Sequence, residues 1–208
     1  MPVFHEHRAI FLHIGKTAGV AIERGLGLPA CDYREYQPDR VYGVHKGVMT
    51  QHATPDYIQQ LISPDVWQDY FKFTIVRNPW DRMVSAYYYL YNINKEKFGD
   101  FSSWLISMHG QVMDKSYRVG SHVTPQIEYT HNQDNNEQIL DYVGRYESLP
   151  DSYQHICYKL NIPYNELQVL NPSGKRKTKD YKTMYNNFTM NLVKQMYGTE
   201  IEMFDYQF

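Results

Sequence analysis

The sequence lacks several features that mark common classes of protein. Its 208 residues include two cysteines, Cys31 and Cys157, without C-x-x-C spacing, which argues against a disulfide scaffold or a thiolate zinc site. The formal net charge of −2 provides no overall basic field for nucleic acid. No apolar run approaches the ~18 residues of a membrane span, and residues 1–8 contain no apolar signal-peptide core. We therefore expect a cytoplasmic protein without a membrane span.

Metal ligands are also sparse in the sequence. The nine histidines are scattered, and no carboxylate or thiolate lies at ligand spacing from them, so we expect no bound metal. Tyrosine, in contrast, is abundant at 20 residues, and an exposed tyrosine ring can stack on a sugar.

The pattern of apolar residues predicts an α/β fold. The length suits one domain covering residues 1–208. Because strand and helix patterns alternate, we expect a central, mostly parallel β-sheet flanked by helices. The region 31–47 is predicted to be a surface excursion, and the polar region 111–138 has no clear pattern. Strands are predicted at residues 10–14, 71–76 and 140–146, and helices at 17–24, 55–63, 79–91, 100–109, 149–160 and 189–197.

The first strand, turn and helix, over residues 9–22, predict an anion site. Gly15 and Gly19 allow close approach of the backbone, Lys16 adds a positive charge, and the helix would begin near Thr17. The nucleotide-binding pattern G-x-x-x-x-G-K-[ST] is incomplete, since Ile10 stands where its first glycine is required. The turn is therefore shorter than the loop that wraps a nucleoside triphosphate.

A second strand–turn–helix unit covers residues 73–87. Arg77 follows the strand and Ser85 lies in the next helix, so that an arginine fork and a hydroxyl can share one phosphate. Asp81 and Arg82 between them are expected to form ion pairs that fix the turn.

These two stretches resemble the donor-binding motifs of sulfotransferases, with Gly15 where that family mostly has proline. The resemblance implies a P-loop-NTPase-like sulfotransferase fold and the donor 3′-phosphoadenosine-5′-phosphosulfate (PAPS). It also implies a 5′-phosphosulfate loop in the first turn and a 3′-phosphate site in the second. The residues to which it gives these donor-binding roles are Gly15, Lys16, Thr17, Ala18, Gly19, Val20, Arg77 and Ser85.

Further resemblance to carbohydrate sulfotransferases, the family of heparan sulfate 2-O-sulfotransferase and bacterial relatives, covers most of the chain. Residues 143–147 are similar to its late strand motif, and residues 204–208 are similar to its usual ending. The loop at residues 173–181 falls where such enzymes close over the nucleotide. The basic residues there that are expected to contact the donor are Lys175, Arg176 and Lys177.

Sulfuryl transfer needs a base for the acceptor hydroxyl and a positive charge beside the leaving oxygen. Lys16 fits the second role. Among the histidines we assign the base to His52, because related enzymes are similar in having a catalytic histidine just before a helix. His45 is the alternative base, and His122 is expected beside the acceptor or the nucleotide. We expect both His45 and His122 to bind the substrate.

We therefore expect an O-sulfotransferase that uses PAPS and a hydroxyl of a carbohydrate or glycoconjugate. Two alternatives remain open at this point: a small-molecule kinase with a reduced phosphate loop, and a non-catalytic domain that binds a nucleotide or a glycan. Ile10, the pairing of Arg77 with Ser85 and the lack of a visible Mg²⁺-binding acid after a strand argue against the kinase. The presence of Lys16 together with a candidate base argues against the non-catalytic domain.

Overall fold

The structure is a computed structural model that describes residues 2–28, 34–93, 99–117, 121–132, 137–168 and 180–208. The described strands are β1 (Val3–Phe4), β2 (Ala9–Phe11), β3 (Val44–His45), β4 (Val48–Met49), β5 (Phe71–Val76) and β6 (Tyr142–Arg145). The described helices are α1 (Gly19–Gly25), α2 (Pro55–Gln59), α3 (Pro64–Asp69), α4 (Pro79–Ile93), α5 (Phe101–Met113), α6 (Ile127–Thr130), α7 (Leu149–Lys159) and α8 (Asn187–Met203).

The central sheet has the order β1-β2-β5-β6. β2, β5 and β6 are parallel, as the alternating pattern predicts, and β1 adds an antiparallel edge that the pattern does not reveal. β2 ends at Phe11, earlier than predicted, although the Leu12 N–H still donates to the Phe73 carbonyl at 2.9 Å. Because neighbouring parallel strands end at the same edge, the turns after β2, β5 and β6 lie side by side.

Helices cover both faces of the sheet. Ile10 belongs to an apolar cluster that includes buried residues of α4, α5 and α8, whereas Phe11 belongs to a second cluster with residues of α1 and α7. Successive side chains of a strand point to opposite faces, so the continuous apolar runs in the sequence reflect a sheet buried on both sides. The α/β fold with a central, mostly parallel sheet is confirmed.

Two predicted helix boundaries differ from those in the structure. Helix α1 begins at Gly19 rather than near Thr17, since Ala18 has φ 67° and cannot belong to a right-handed helix. The single helix predicted over 55–63 ends at Gln59, and a new helix, α3, follows with Ser63 as its N-cap.

Two other helices are longer than predicted, since a glycine alone does not end a helix that is packed along its length. Helix α5 passes Gly110 and ends at Met113. Helix α8 starts at Asn187 and continues through a non-helical Tyr197, before Gly198, as far as Met203.

Three other sequence expectations concern the surface, the cysteines and the membrane. The described part of the predicted excursion buries Val41 and Tyr42, so it is not only surface. Cys157 is a buried free thiol, whereas Cys31 lies outside the described residues. No helix among the described residues is long and apolar enough to cross a bilayer.

Candidate active site

The turn between β2 and α1 has an unusual backbone. Lys16 and Ala18 have φ values of 73° and 67°, in the left-handed region, where a residue other than glycine costs about 1–3 kcal/mol. Thr17 is buried and its hydroxyl donates to the Ile14 carbonyl at 2.8 Å. Since this is the turn's one described side-chain bond to itself, surrounding residues must hold its shape.

Arg82 of α4 supplies part of that support. It is fully buried, and its Nε donates to the Gly15 carbonyl at 3.1 Å. Its Nη2 donates to the carbonyls of His122 and Thr124 at 3.2 and 2.8 Å. The expectation that Arg82 forms an ion pair is therefore wrong: among the described residues its bonds go to carbonyl oxygens, and they join the first turn to the loop that carries His122.

Arg77 joins the two turns. Its Nε and Nη2 donate to Asp81 Oδ2 at 2.9 and 2.6 Å, which is the ion pair expected for Asp81. Its Nη1 donates to the Lys16 carbonyl at 2.9 Å, and its guanidinium carbon lies 3.9 Å from the ring centre of Tyr146, which follows β6. Elements at the ends of three parallel strands thus meet at Arg77. Ser85 is buried one turn after Asp81 on the same face of α4.

The main chain of Arg77 is fixed by a pair of residues that the sequence does not single out for this role. The side chain of Gln126 accepts from the Arg77 N–H at 2.8 Å and donates to the Arg77 carbonyl at 2.9 Å. Glu200 of α8 accepts from the same Gln126 amide at 2.9 Å. Burial raises the pKa of Glu200. At the end of β5, the side-chain amide of Gln126 therefore makes the two main-chain hydrogen bonds that a neighbouring strand would otherwise make.

The next residue, Asn78, ties the late strand motif to the ending of the chain. The Asn78 N–H donates to Glu147 Oε1 at 2.7 Å, and its side chain donates to the Gln207 carbonyl at 2.8 Å. The Tyr206 hydroxyl donates to Glu147 Oε2 at 3.2 Å. The two stretches that resemble family motifs at residues 143–147 and 204–208 thus support the second turn.

Lys16 carries a charge that lies close to a second cation. Its Nζ lies 4.1 Å from the ring centre of Tyr89, which is 39% exposed. Burial, and then the charge of Arg77, lowers the pKa of Lys16 to about 8. A partly buried ammonium of this kind favours a bound anion beside it.

Three histidine rings lie next to this turn. The ring centre of His52 is 4.5 Å from that of His13 and 5.5 Å from that of His122, which in turn lies 4.8 Å from Tyr89. Burial, helped by His13 and His122, holds the pKa of His52 well below its usual range. Burial and the charges of Lys16 and Arg82 lower the pKa of His122 to about 3. Both rings are therefore neutral at pH 7.

The hydrogen bond of His52 fixes its tautomer. Its Nδ1 lies 3.0 Å from the carbonyl oxygen of His13, which can only accept. The proton must therefore be on Nδ1, and Nε2 keeps a lone pair. A neutral imidazole with a free Nε2 is the form that can take a proton.

His13 is a buried residue that the sequence motifs do not assign to the site. Its Nδ1 is 2.6 Å from Glu23 Oε1, and Glu23 also accepts from the Gln51 amide. An added Cβ on Gly19 would lie 2.0 Å from His13 Nε2, so the ring packs directly on this glycine. The sequence offers one signal for this arrangement: Gly19 and Glu23 are four residues apart and share a face of α1.

Some predicted site residues lie elsewhere or outside the described chain. His45 is in the β3–β4 hairpin, where its Nδ1 is 3.1 Å from the Tyr57 hydroxyl and its ring packs 4.7 Å from Tyr36. Those contacts do not include the three-histidine cluster. Gly15 and Gly19 are buried, whereas Ala18 and Val20 are half-buried. The basic residues Lys175, Arg176 and Lys177 lie outside the described residues.

The comparisons with known proteins define the class. The model of the Sulfotransferase family matches residues 1–207. The chain therefore belongs to the sulfotransferase family, and it is an enzyme of sulfuryl transfer. No curated protein and no solved structure gives a significant match. In the described part of the chain, no group of three or more His, Cys, Asp or Glu side chains is arranged to hold a metal ion.

Proposed function

We propose that this enzyme transfers the sulfuryl group of PAPS to a hydroxyl of a carbohydrate or glycoconjugate. The observation that carries the donor half is the convergence of Lys16 and Arg77 at one edge of the sheet, where Arg77 Nη1 binds the Lys16 carbonyl at 2.9 Å. Family membership supports sulfuryl transfer over the phosphoryl transfer of a kinase and over a non-catalytic domain.

The donor would bind across the two turns. The first turn, residues 15–20, would take the 5′-phosphosulfate, with Lys16 beside the leaving oxygen. Arg77 and Ser85 would take the 3′-phosphate. An arginine has five N–H donors. Among the described residues, Asp81 and Lys16 accept from three of those of Arg77, so the other two would bind a phosphate. We assign Lys175, Arg176 and Lys177 to the same nucleotide.

The transfer step would use His52 as the base. The acceptor hydroxyl gives its proton to His52 Nε2 while its oxygen attacks the sulfur of the donor. A new O–S bond forms, and the bond between the sulfur and the 5′-phosphate oxygen breaks. The charge that develops on this phosphate oxygen is stabilised by the Lys16 ammonium.

The acceptor half of the proposal is supported by an aromatic ring beside the proposed transfer site. Tyr89 presents a partly exposed ring next to Lys16 and His122, and such a ring can pack against the face of a sugar. We assign His122 to the acceptor side of the site for this reason. His45 would lie further out, with Tyr36 and Tyr57.

The proposal includes one catalytic domain, residues 1–208, in the cytoplasm. The family match over residues 1–207 supports the single domain. The buried free thiol of Cys157 supports a reducing compartment.

The donor assignment is tested by nucleotide binding. Adenosine 3′,5′-bisphosphate, the spent donor, is expected to raise the melting temperature, with a stabilisation of about 2.7 kcal/mol at a hundredfold excess over Kd. ATP with Mg²⁺ is the matched control and should have a far smaller effect. Equal shifts from both nucleotides would contradict the assignment.

The acceptor assignment is tested by product analysis. The enzyme, supplied with PAPS and a panel of glycans and phenols, is expected to add sulfate to glycans, as detected by mass spectrometry. Sulfation restricted to the phenols would overturn the carbohydrate part while leaving the donor part intact.

A further inference from the structure

We propose that Glu23 is a positioning residue for the transfer step, acting through His13 and Gln51 to hold His52. This inference rests on the proposed role of His52 as the base. Glu23 lies on α1 and is 2% exposed. Burial of a carboxylate costs free energy unless hydrogen-bond donors surround it. The donors to Glu23 are on His13 and Gln51, and both of these residues adjoin His52.

The first connection runs through His13. Glu23 Oε1 lies 2.6 Å from His13 Nδ1, and the carbonyl of the same residue accepts from His52 Nδ1 at 3.0 Å. The two imidazole rings also meet edge to face, with centres 4.5 Å apart. Movement of His13 would therefore remove both the acceptor for the His52 Nδ1 proton and one wall of the His52 pocket.

The second connection runs through Gln51, the residue before His52. Its amide donates to both carboxylate oxygens of Glu23, at 3.3 and 3.1 Å. Gln51 and His52 belong to the same 3-10 turn, Thr50–His52. Glu23 thus binds both the ring of His13, which contacts His52, and the side chain of Gln51, which precedes His52 in the chain.

Two residues of helix α1 contact the His13 ring and hold it in place. Gly19 precedes Glu23 by one turn of the helix, and the absence of a side chain there lets the His13 ring lie on the helix backbone. The ring is therefore confined between a glycine and a carboxylate on the same helical face. Because α1 directly follows the proposed phosphosulfate turn, the same helix connects that turn to the base.

The test separates positioning from folding and from donor binding. In single-turnover transfer from labelled PAPS, Glu23→Gln is expected to lower the rate about ten- to hundredfold, since small displacements of a reacting group have effects of this size. The affinity for adenosine 3′,5′-bisphosphate should change less than about twofold, because Glu23 has no described contact with Lys16 or Arg77. Glu202→Gln, at an exposed position of α8, is the matched control and should leave both quantities unchanged.

A double variant tests whether Glu23 acts through His52. In a His52→Ala background, Glu23→Gln should change the residual rate less than about twofold, because the group that it positions is gone. A further tenfold loss in that background would overturn the proposal. So would an unchanged rate in folded Glu23→Gln, or a loss of nucleotide affinity parallel to the loss of rate.

A readout without catalysis keeps the test independent of the proposed function. ¹⁵N NMR of the imidazole rings should report His52 as the Nδ1–H tautomer in the wild type and a mixture of tautomers in Glu23→Gln. An unchanged His52 tautomer in the variant would refute the positioning role. Absence of any transfer from PAPS by the wild type, with the tautomer shift present, would instead refute the proposed function alone.

Discussion

The two strand–turn–helix units of this sulfotransferase have the same plan but are stabilised differently. In the second unit the turn has bonds of its own: the Asn78 side chain accepts from the N–H groups of Trp80 and Asp81, at 3.0 and 3.4 Å, and Asp81 pairs with Arg77. Gln126 and Glu147 add bonds from distant parts of the chain to the main chain of Arg77 and Asn78. In the first unit Ala18 has no side-chain cap and two non-glycine residues are left-handed. Arg77 and Arg82 of the second unit bind the carbonyls of this turn, and the His13 ring packs on Gly19.

We infer from this difference that the two units have different roles in the reaction. A turn that is held both by its own side chains and by distant residues suits a phosphate that must be bound in the same place throughout the reaction. A turn that depends on its neighbours is coupled to them, and those neighbours include His13 and, through it, His52. We expect substitutions near the first unit to affect turnover, together with donor binding where they remove the charge of Lys16, and substitutions in the second unit to affect mainly donor binding.

The largest expected effect concerns His52. His52→Ala should lower turnover about a hundredfold or more, since general-base catalysis contributes 10² to 10⁴, while affinity for adenosine 3′,5′-bisphosphate hardly changes. Single-turnover transfer from labelled donor measures the first quantity and calorimetry measures the second. His155→Ala, at an exposed residue of α7, is the control. A normal rate in His52→Ala beside a collapse in His122→Ala or His45→Ala would move the base to that residue.

The next effect tests the second unit. Arg77→Ala should weaken binding of the spent donor by roughly 2–4 kcal/mol, through loss of a charge-assisted fork to phosphate. The structure adds a cost in stability, because the substitution removes the ion pair between Arg77 and Asp81. Ser85→Ala should weaken binding less.

Calorimetry and thermal unfolding separate these two consequences of Arg77→Ala. Unchanged nucleotide affinity in the folded variant would show that the 3′-phosphate site lies elsewhere.

The sequence predicts the boundaries of the second unit better than those of the first. β5 and the start of α4 are predicted to the residue, because an apolar run ended by Arg77 and Pro79 specifies them locally. The start of α1 is not, because contacts from distant residues impose the left-handed backbone at Lys16 and Ala18. Propensity and spacing carry no information on such contacts.

The candidate site divides in the same way. Lys16, Arg77 and Ser85 are found from motifs because their spacing within one unit is fixed. Gln126 and Glu200 are missed, since they are 74 residues apart and meet only in the folded chain.

A smaller effect is expected on stability, and it is measured by substituting two glycines. Gly19→Ala should destabilise the protein by about 1–3 kcal/mol, because the new Cβ would lie 2.0 Å from the ring of His13. Gly110→Ala is the matched control: nothing lies within 4 Å of its added Cβ, and an alanine inside α5 should stabilise by about 0.5–1 kcal/mol. Denaturant unfolding measures both, and equal changes would show that the first turn does not depend on the His13 ring.

The smallest effect is the pH dependence of the donor reaction. The pKa of Lys16 is about 8, and only the ammonium attracts the donor, so kcat/KM for PAPS should fall as pH rises, by about twofold at pH 8. Bound donor favours the charged form, so the corresponding fall in kcat should lie at higher pH. Lys16→Arg, whose guanidinium stays protonated, should remove the fall in kcat/KM.

At the acid end the histidine decides the profile. The pKa of His52 is well below its usual range, so its imidazole is neutral throughout the neutral pH range. We therefore expect kcat to stay level between pH 6.5 and 7.5. It should not rise through the ordinary histidine pKa near 6.5. A rate that halves near pH 6.5 in wild type and loses this dependence in His52→Ala would show that His52 is solvated during the reaction. Such a result would also mean that water reaches His52, although its side chain is buried next to the first unit.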